Sequence, residues 1–121
     1  MGTRSVITFK ENDKPICAVY QQYDGYTDGK GQELKDFLRS KQFVNGIGQD
    51  NNVFNGAGCC IAQFISTFKT EAGNLYMVEI GSKEEYNYSV NFKYGDNYIV
   101  SEIEISVDSK EGKDFNEVMI M

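Results

Sequence analysis

The stretch "YNYSVNFKY" sets Tyr86, Tyr88, Val90, Phe92 and Tyr94 in strict alternation with Asn87, Ser89, Asn91 and Lys93. A period of two sends successive side chains to opposite faces of a pleated strand, so this stretch reads as a β-strand with one apolar and one polar face. An apolar sheet face has to be covered, and two segments upstream supply the cover. "GQELKDFLRSKQF" places Leu34, Phe37, Leu38 and Lys41 at helical spacing and predicts an amphipathic helix of about three turns. "CCIAQFISTFK" places Cys60, Ile61, Phe64, Ile65 and Phe68 on the buried stripe of a second helix, with a strand as the alternative that its β-branched content leaves open.

The remaining apolar runs are short and β-rich. "SVITFK" (5–10) and "PICAVYQQY" (15–23) flank the polar turn "ENDK" and read as a hairpin. "NLYMVEI" precedes the alternating strand, and "GDN" turns that strand into "YIVSEIEISV", where Ile99, Ile103, Ile105 and Val107 share a face. A last polar turn, "DSKEGK", leads to "DFNEVMIM", a final strand at a sheet edge that can pair with a second copy to give a homo-oligomer. The order ββ-αα-ββββ predicts an α+β two-layer domain, an antiparallel sheet of about six strands with two helices on one face. The 121 residues suit one core, so residues 1–121 are expected to form a single globular domain.

Composition excludes several chemistries. The chain has no histidine, which removes Ser-His-Asp and Cys-His catalysis and His-ligated zinc from consideration. Its three cysteines, Cys17, Cys59 and Cys60, include an adjacent pair that bridges only with strain, so reduced thiols and a cytoplasmic compartment are expected. Eighteen acidic side chains against twelve basic ones give a formal charge of -6. Such a surface disfavours general DNA or RNA binding and suits solubility or a basic partner protein. No apolar run reaches the roughly 20 residues of a membrane span. The opening "MGTRSV" shows no signal-peptide pattern, and Val6 stands where a myristoylation signal wants Ser or Thr, so a soluble, unanchored chain is expected.

Two glycine-rich loops are the places for a ligand. In the first, "YQQYDGYTDGKGQE" (20–33), counting from Asp24 puts Tyr26 and Lys35 where a calcium loop needs carboxylates, so an EF-hand is rejected; an irregular cation site is the minor alternative, and no metal is expected. What remains is Tyr23 and Tyr26 as stacking surfaces and Asp24 and Asp28 as partners for hydroxyls, set against plain Asp-Gly turn chemistry. The second, "VNGIGQDNNVFNGAG" (44–58), delivers Asn45, Gly46, Gly48, Asn55, Gly56 and Gly58 to a helix start, where backbone N–H groups and the helix dipole suit phosphate or carboxylate. No Gly-Lys-Ser/Thr follows, so this is not a Walker A loop, and a flexible helix lead-in is the plainer alternative. Cys59 falls at the same helix start and Cys60 on the apolar stripe.

"MGTRSVITF", "YQQYDGY…GKGQELKDFL" and "VNGIG…NGAGCCIAQFI", in that order, resemble a group of small proteins of bacteriophages, prophages and large DNA viruses. These begin Met-Gly-Thr-Arg and carry an aromatic-x-Asp-Gly-Tyr segment before a helix. The resemblance covers about half the chain, implies a viral or mobile-element setting in the host cytoplasm, and carries no mechanism with it. Counter-defence is an analogy from that setting alone.

The leading expectation is a non-enzymatic protein, with no cofactor, that sequesters a small anionic, nucleotide-like ligand across the two loops. The alternatives are an inhibitor that meets a basic host protein through its acidic surface, and a small hydrolase using Asp24, Asp28, Glu33 or Cys59. The binding expectation requires the two loops to face each other.

Overall fold

The computed structural model describes residues 2–46, 48, 51–108 and 114–121. The first hairpin joins β1 (Ser5–Glu11) to β2 (Lys14–Gln21) through Asn12 and Asp13, both with positive φ, as a tight two-residue turn between right-twisted strands requires. Pro15 lies at the start of β2, beyond the stretch (Ala18 to Gln21) that carries a second partner strand, so its missing N–H costs the sheet no second ladder.

A π-helical turn over Thr27–Gly31 leads into α1 (Gln32–Leu38), followed by β3 (Gln42–Val44), β4 (Val53–Asn55) and α2 (Gly56–Phe68). The first α-helix is thus seven residues long rather than three full turns, and Lys41 lies beyond it. The segment expected to be wholly irregular carries β3 and β4, which pair in parallel as a separate two-stranded ribbon. α2 opens at Gly56, ahead of the predicted start, so Cys59 sits in its first turn.

The second half supplies β5 (Leu75–Val78), β6 (Tyr86–Tyr94), β7 (Val100–Asp108) and β8 (Glu117–Ile120). Residues 109–113, most of the last expected turn, lie outside the described residues. The six strands form one sheet in the order β5-β2-β1-β6-β7-β8. Two helices beside this sheet make the α+β domain that the sequence predicted, but the sheet is mixed, because β1 and β6 run parallel. The cause is connectivity. β5 takes the outer edge of β2, so the chain returns through 79–85 past two strands and fills the free edge of β1 in β1's own direction.

Alternation decides the two faces. Ile7, Phe9, Val19, Tyr88, Val90, Phe92, Ile103 and Ile105 point to the helices and are all but fully buried. Phe64 of α2 packs edge-on against Phe9 at 5.6 Å between ring centres, and Phe43 and Phe54 of the small ribbon bridge toward Phe92 and Phe37. Ile99 does not share this face. A register irregularity opposite Lys93 and Tyr94 brings Val100 inward instead, as an extra residue in one strand must. β8 forms one edge of the sheet, with Val118 and Ile120 exposed.

Candidate functional site

The two glycine-rich loops sit at opposite ends of β1. At its start, the Gly25 N–H donates to the Thr3 carbonyl at 2.9 Å, and the Tyr88 hydroxyl donates to the Gly25 carbonyl at 2.6 Å. At its end, Glu11 accepts a hydrogen bond from the Tyr94 hydroxyl, which in turn accepts the Ala57 N–H of α2. Seven residues of strand separate the two places, roughly 20 Å at about 3.3 Å per residue. Tyr23, Asp24, Tyr26 and Asp28 therefore do not share a ligand with Asn45, Gly46, Gly48, Asn55, Gly56, Gly58 and Cys59. The single two-loop site expected from the sequence is not present.

Turn chemistry accounts for the first loop. Asp24 takes a positive φ of 57°, its carbonyl accepts the Lys30 N–H at 2.8 Å, and the Tyr26 carbonyl accepts the Gly29 N–H at 3.0 Å. A β-carbon at Gly29 would fall 2.5 Å from the Asp24 carbonyl oxygen and 2.9 Å from the Tyr26 ring, and one at Gly25 would fall 2.8 Å from the Ser5 β-carbon. The glycines are there because the chain crosses itself closely. Tyr23, Asp24, Tyr26 and Asp28 all remain exposed.

The second loop encloses space. Gly46, Gly48, Asn51, Val53, Asn55, Cys59 and Gln63 line a cavity of about 280 Å³ beside the first turn of α2. Asn55 turns its side chain back to accept the Gly46 N–H at 2.9 Å instead of capping the helix. Gln63, one turn along α2 from Cys59, donates to the Val53 carbonyl at 2.9 Å and to Cys59 Sγ at 3.2 Å. Its amide oxygen accepts from the Lys41 ammonium, which also lies 5.6 Å from the centre of the Phe54 ring. This cavity is therefore lined by loop residues, Cys59 in the first turn of α2 and the Gln63 side-chain amide, with Lys41 behind Gln63, and its described lining holds no carboxylate. Asn45 reaches out of the loop to the Asn97 carbonyl at 2.8 Å, tying it to the β6–β7 turn. In that turn Asn97 and Tyr98 both have positive φ and Tyr98 is 79% exposed.

Gly56 and Gly58 differ in role. Gly56 has a φ of 83°, which L side chains rarely adopt, whereas a β-carbon at Gly58 would meet nothing within 4 Å. Burial pushes the Cys60 thiol well above its ordinary range, followed by the effect of neighbouring Cys59, so Cys60 is a core thiol. Cys17, Cys59 and Cys60 are all unbridged. The carboxylates named for a hydrolase, Asp24, Asp28 and Glu33, lie at the far end from Cys59, and Glu33 pairs with Lys30 at 2.8 Å. Among the described residues no three His, Cys, Asp or Glu side chains cluster to hold a metal ion, and no helix is long and apolar enough to cross a membrane.

Sequence reasoning missed Lys41, Gln63, Glu11 and Tyr94 as parts of this end of the domain. Gln63 was findable, because it lies four residues from Cys59 on one helix face. The contacts of Lys41 and Glu11 span 22 and 83 residues and leave no local mark. Compared with protein-family models, with curated proteins and with solved structures, the chain matches none.

Proposed function

We infer that the protein is a non-enzymatic binder of a small anionic, nucleotide-like ligand, held at the cavity between the 45–55 loop and α2. One observation carries this reading: the 45–55 loop, Cys59 in the first turn of α2 and Gln63, which accepts from the Lys41 ammonium, meet at one space whose described walls lack a carboxylate. Helix-start amides and a nearby ammonium both favour a phosphate group there. Tyr98, rather than Tyr23 or Tyr26, is the exposed aromatic at this end of the domain, and it takes the stacking role. A sequestering role in a viral or mobile-element setting rests on the sequence resemblance alone.

The test is a thermal-shift and calorimetric screen against nucleotides and cyclic dinucleotides. A ligand at a hundred times its Kd adds about 2.7 kcal/mol to stability, a shift of several degrees for a chain of this size. Gly58→Asp places a carboxylate at the helix start in open space, so it should fold normally and weaken binding by about tenfold or more. Lys41→Gln should weaken it similarly. A screen in which no nucleotide raises the melting temperature removes this reading.

A further inference from the structure

The helix-free face of the sheet holds a larger cleft, of about 500 Å³. Its roof is the 79–85 connection, which crosses β2 and β1 on its way from β5 to β6, and its floor is the middle of β1, β6 and β7. Strand register fixes the floor. Thr8 pairs with Ser89 across the parallel β1–β6 ladder, and Ser89 pairs with Ser106 across the antiparallel β6–β7 ladder. Three hydroxyls therefore stand in one row across three adjacent strands, about 4.8 Å apart. None of the three makes a side-chain hydrogen bond to a described residue, although all are partly buried and line the cleft. Half-buried hydroxyls without a partner among the described residues offer donors and acceptors to the contents of the cleft.

Charge supplies the second observation. Lys10, two residues along β1 from Thr8, and Lys83 in the roof both line the cleft, and neither pairs with a carboxylate among the described residues. The chain has eighteen carboxylate side chains and twelve basic ones, so two unpaired lysines converging on one concave surface run against its average. Asp108 is the one carboxylate among the described lining residues, at the end of β7. It lies one row beyond the hydroxyls, opposite Asn87, whose side chain is occupied by the backbone of Glu84.

We propose that this cleft is a second ligand site, for a small molecule carrying a phosphate ester. The oxyanion sits between the Lys10 and Lys83 ammonium groups and accepts from the Thr8, Ser89 and Ser106 hydroxyls. The hydroxyl-bearing remainder of the ligand lies toward Asp108 and Asn116. The volume falls within the range of about 300–1,000 Å³ usual for small-molecule sites. The strap position matters as much as the floor: Lys83 lines this cleft only because the chain crosses over this face to place β6 beside β1.

The experiment is a two-dimensional NMR titration of the labelled protein with ribose 5-phosphate, with inorganic phosphate and with ribose. The expected result is saturable movement of the Thr8, Ser89 and Ser106 amides with both phosphate-bearing probes and none with ribose. Lys10→Gln combined with Lys83→Gln should weaken that binding at least about tenfold and leave the rest of the spectrum in place, since neither lysine is part of the core. Gly58→Asp should leave it unchanged, which separates this cleft from the α2 cavity. Movement confined to Gly46, Gly58 and Cys59, no movement at all, equal movement with ribose alone, or full binding by the double lysine variant would each overturn the proposal.

Discussion

The Tyr94 hydroxyl donates to a Glu11 carboxylate oxygen at 2.7 Å and accepts the Ala57 N–H at 3.0 Å, so one phenol joins the first turn of α2 to the ends of two parallel strands. Burial leads the causes that raise its pKa, which keeps the group a neutral donor under ordinary conditions. Tyr94→Phe keeps the ring and loses both bonds. It should cost about 1–2 kcal/mol in urea unfolding, at about 1 kcal/mol per net hydrogen bond, and should speed amide exchange at Ala57 selectively.

The first loop should prove structural at its glycines and dispensable at its tyrosines. Gly25→Ala would drive a β-carbon to within 3.0 Å of the Arg4 carbonyl carbon and should cost about 1–3 kcal/mol by overpacking. Tyr23→Ala and Tyr26→Ala should stay within about 0.5 kcal/mol of the parent and leave ligand binding at the α2 cavity intact. A loss of nucleotide binding in either tyrosine variant would contradict the separation of the two loops.

Phe64 joins three aromatic contacts at once, to Phe9, Phe37 and Phe68, with ring centres 4.8 to 5.6 Å apart. It is the side chain through which α2 is seated on the sheet. Phe64→Ala should cost about 3–5 kcal/mol, readable as a lowered urea midpoint with an unchanged slope.

Glu117 on β8 pairs with Arg39 and with Lys35, and the hydrogen bond from Arg39 is the main cause that holds its carboxyl below the ordinary range. A depressed folded-state pKa means the unfolded chain binds more protons at acid pH. The stabilisation is therefore complete above the unfolded value of about 4.3 and is lost as pH falls through the lower folded value. The pair is partly exposed, so the amount should be under about 1 kcal/mol. Glu117→Gln should flatten the stability profile of the parent below about pH 4.5 by that amount. An unchanged acid limb in the variant would show that Glu117 carries no such linkage.

Local patterns in the sequence were enough to find the six strands of the main sheet and both helices, but not the short β3–β4 ribbon. The Tyr86–Tyr94 alternation, the Asn12-Asp13 turn and the apolar stripe from Cys60 to Phe68 are each satisfied within a few residues, and the structure keeps all of them. Boundaries moved where long-range contacts intervene. α2 begins at Gly56 because the Tyr94 hydroxyl receives the Ala57 N–H, and Ile99 gives way to Val100 because of the irregularity in the β6–β7 ladder. Lys35, which reads as a solvent-facing helix residue, is buried with its ammonium 4.0 Å from the centre of the Phe115 ring and bonded to the Phe115 carbonyl. Its partner lies 80 residues away, so periodicity had no way to announce it.

Local pattern and composition specify an α+β chain without histidine chemistry, with a polar-and-apolar central strand and two glycine-rich loops. Periodicity, glycine steps and missing residue types are local properties, legible without coordinates. That β1 and β6 run parallel is a property of the assembled sheet, because strand direction depends on which edge is left free when β5 has docked. That one placement puts the two loops at opposite ends of β1, aligns Thr8, Ser89 and Ser106 in a row, and draws the 79–85 strap with Lys83 across them. A site made of residues from three strands and a crossover exists only once the order of the sheet is set.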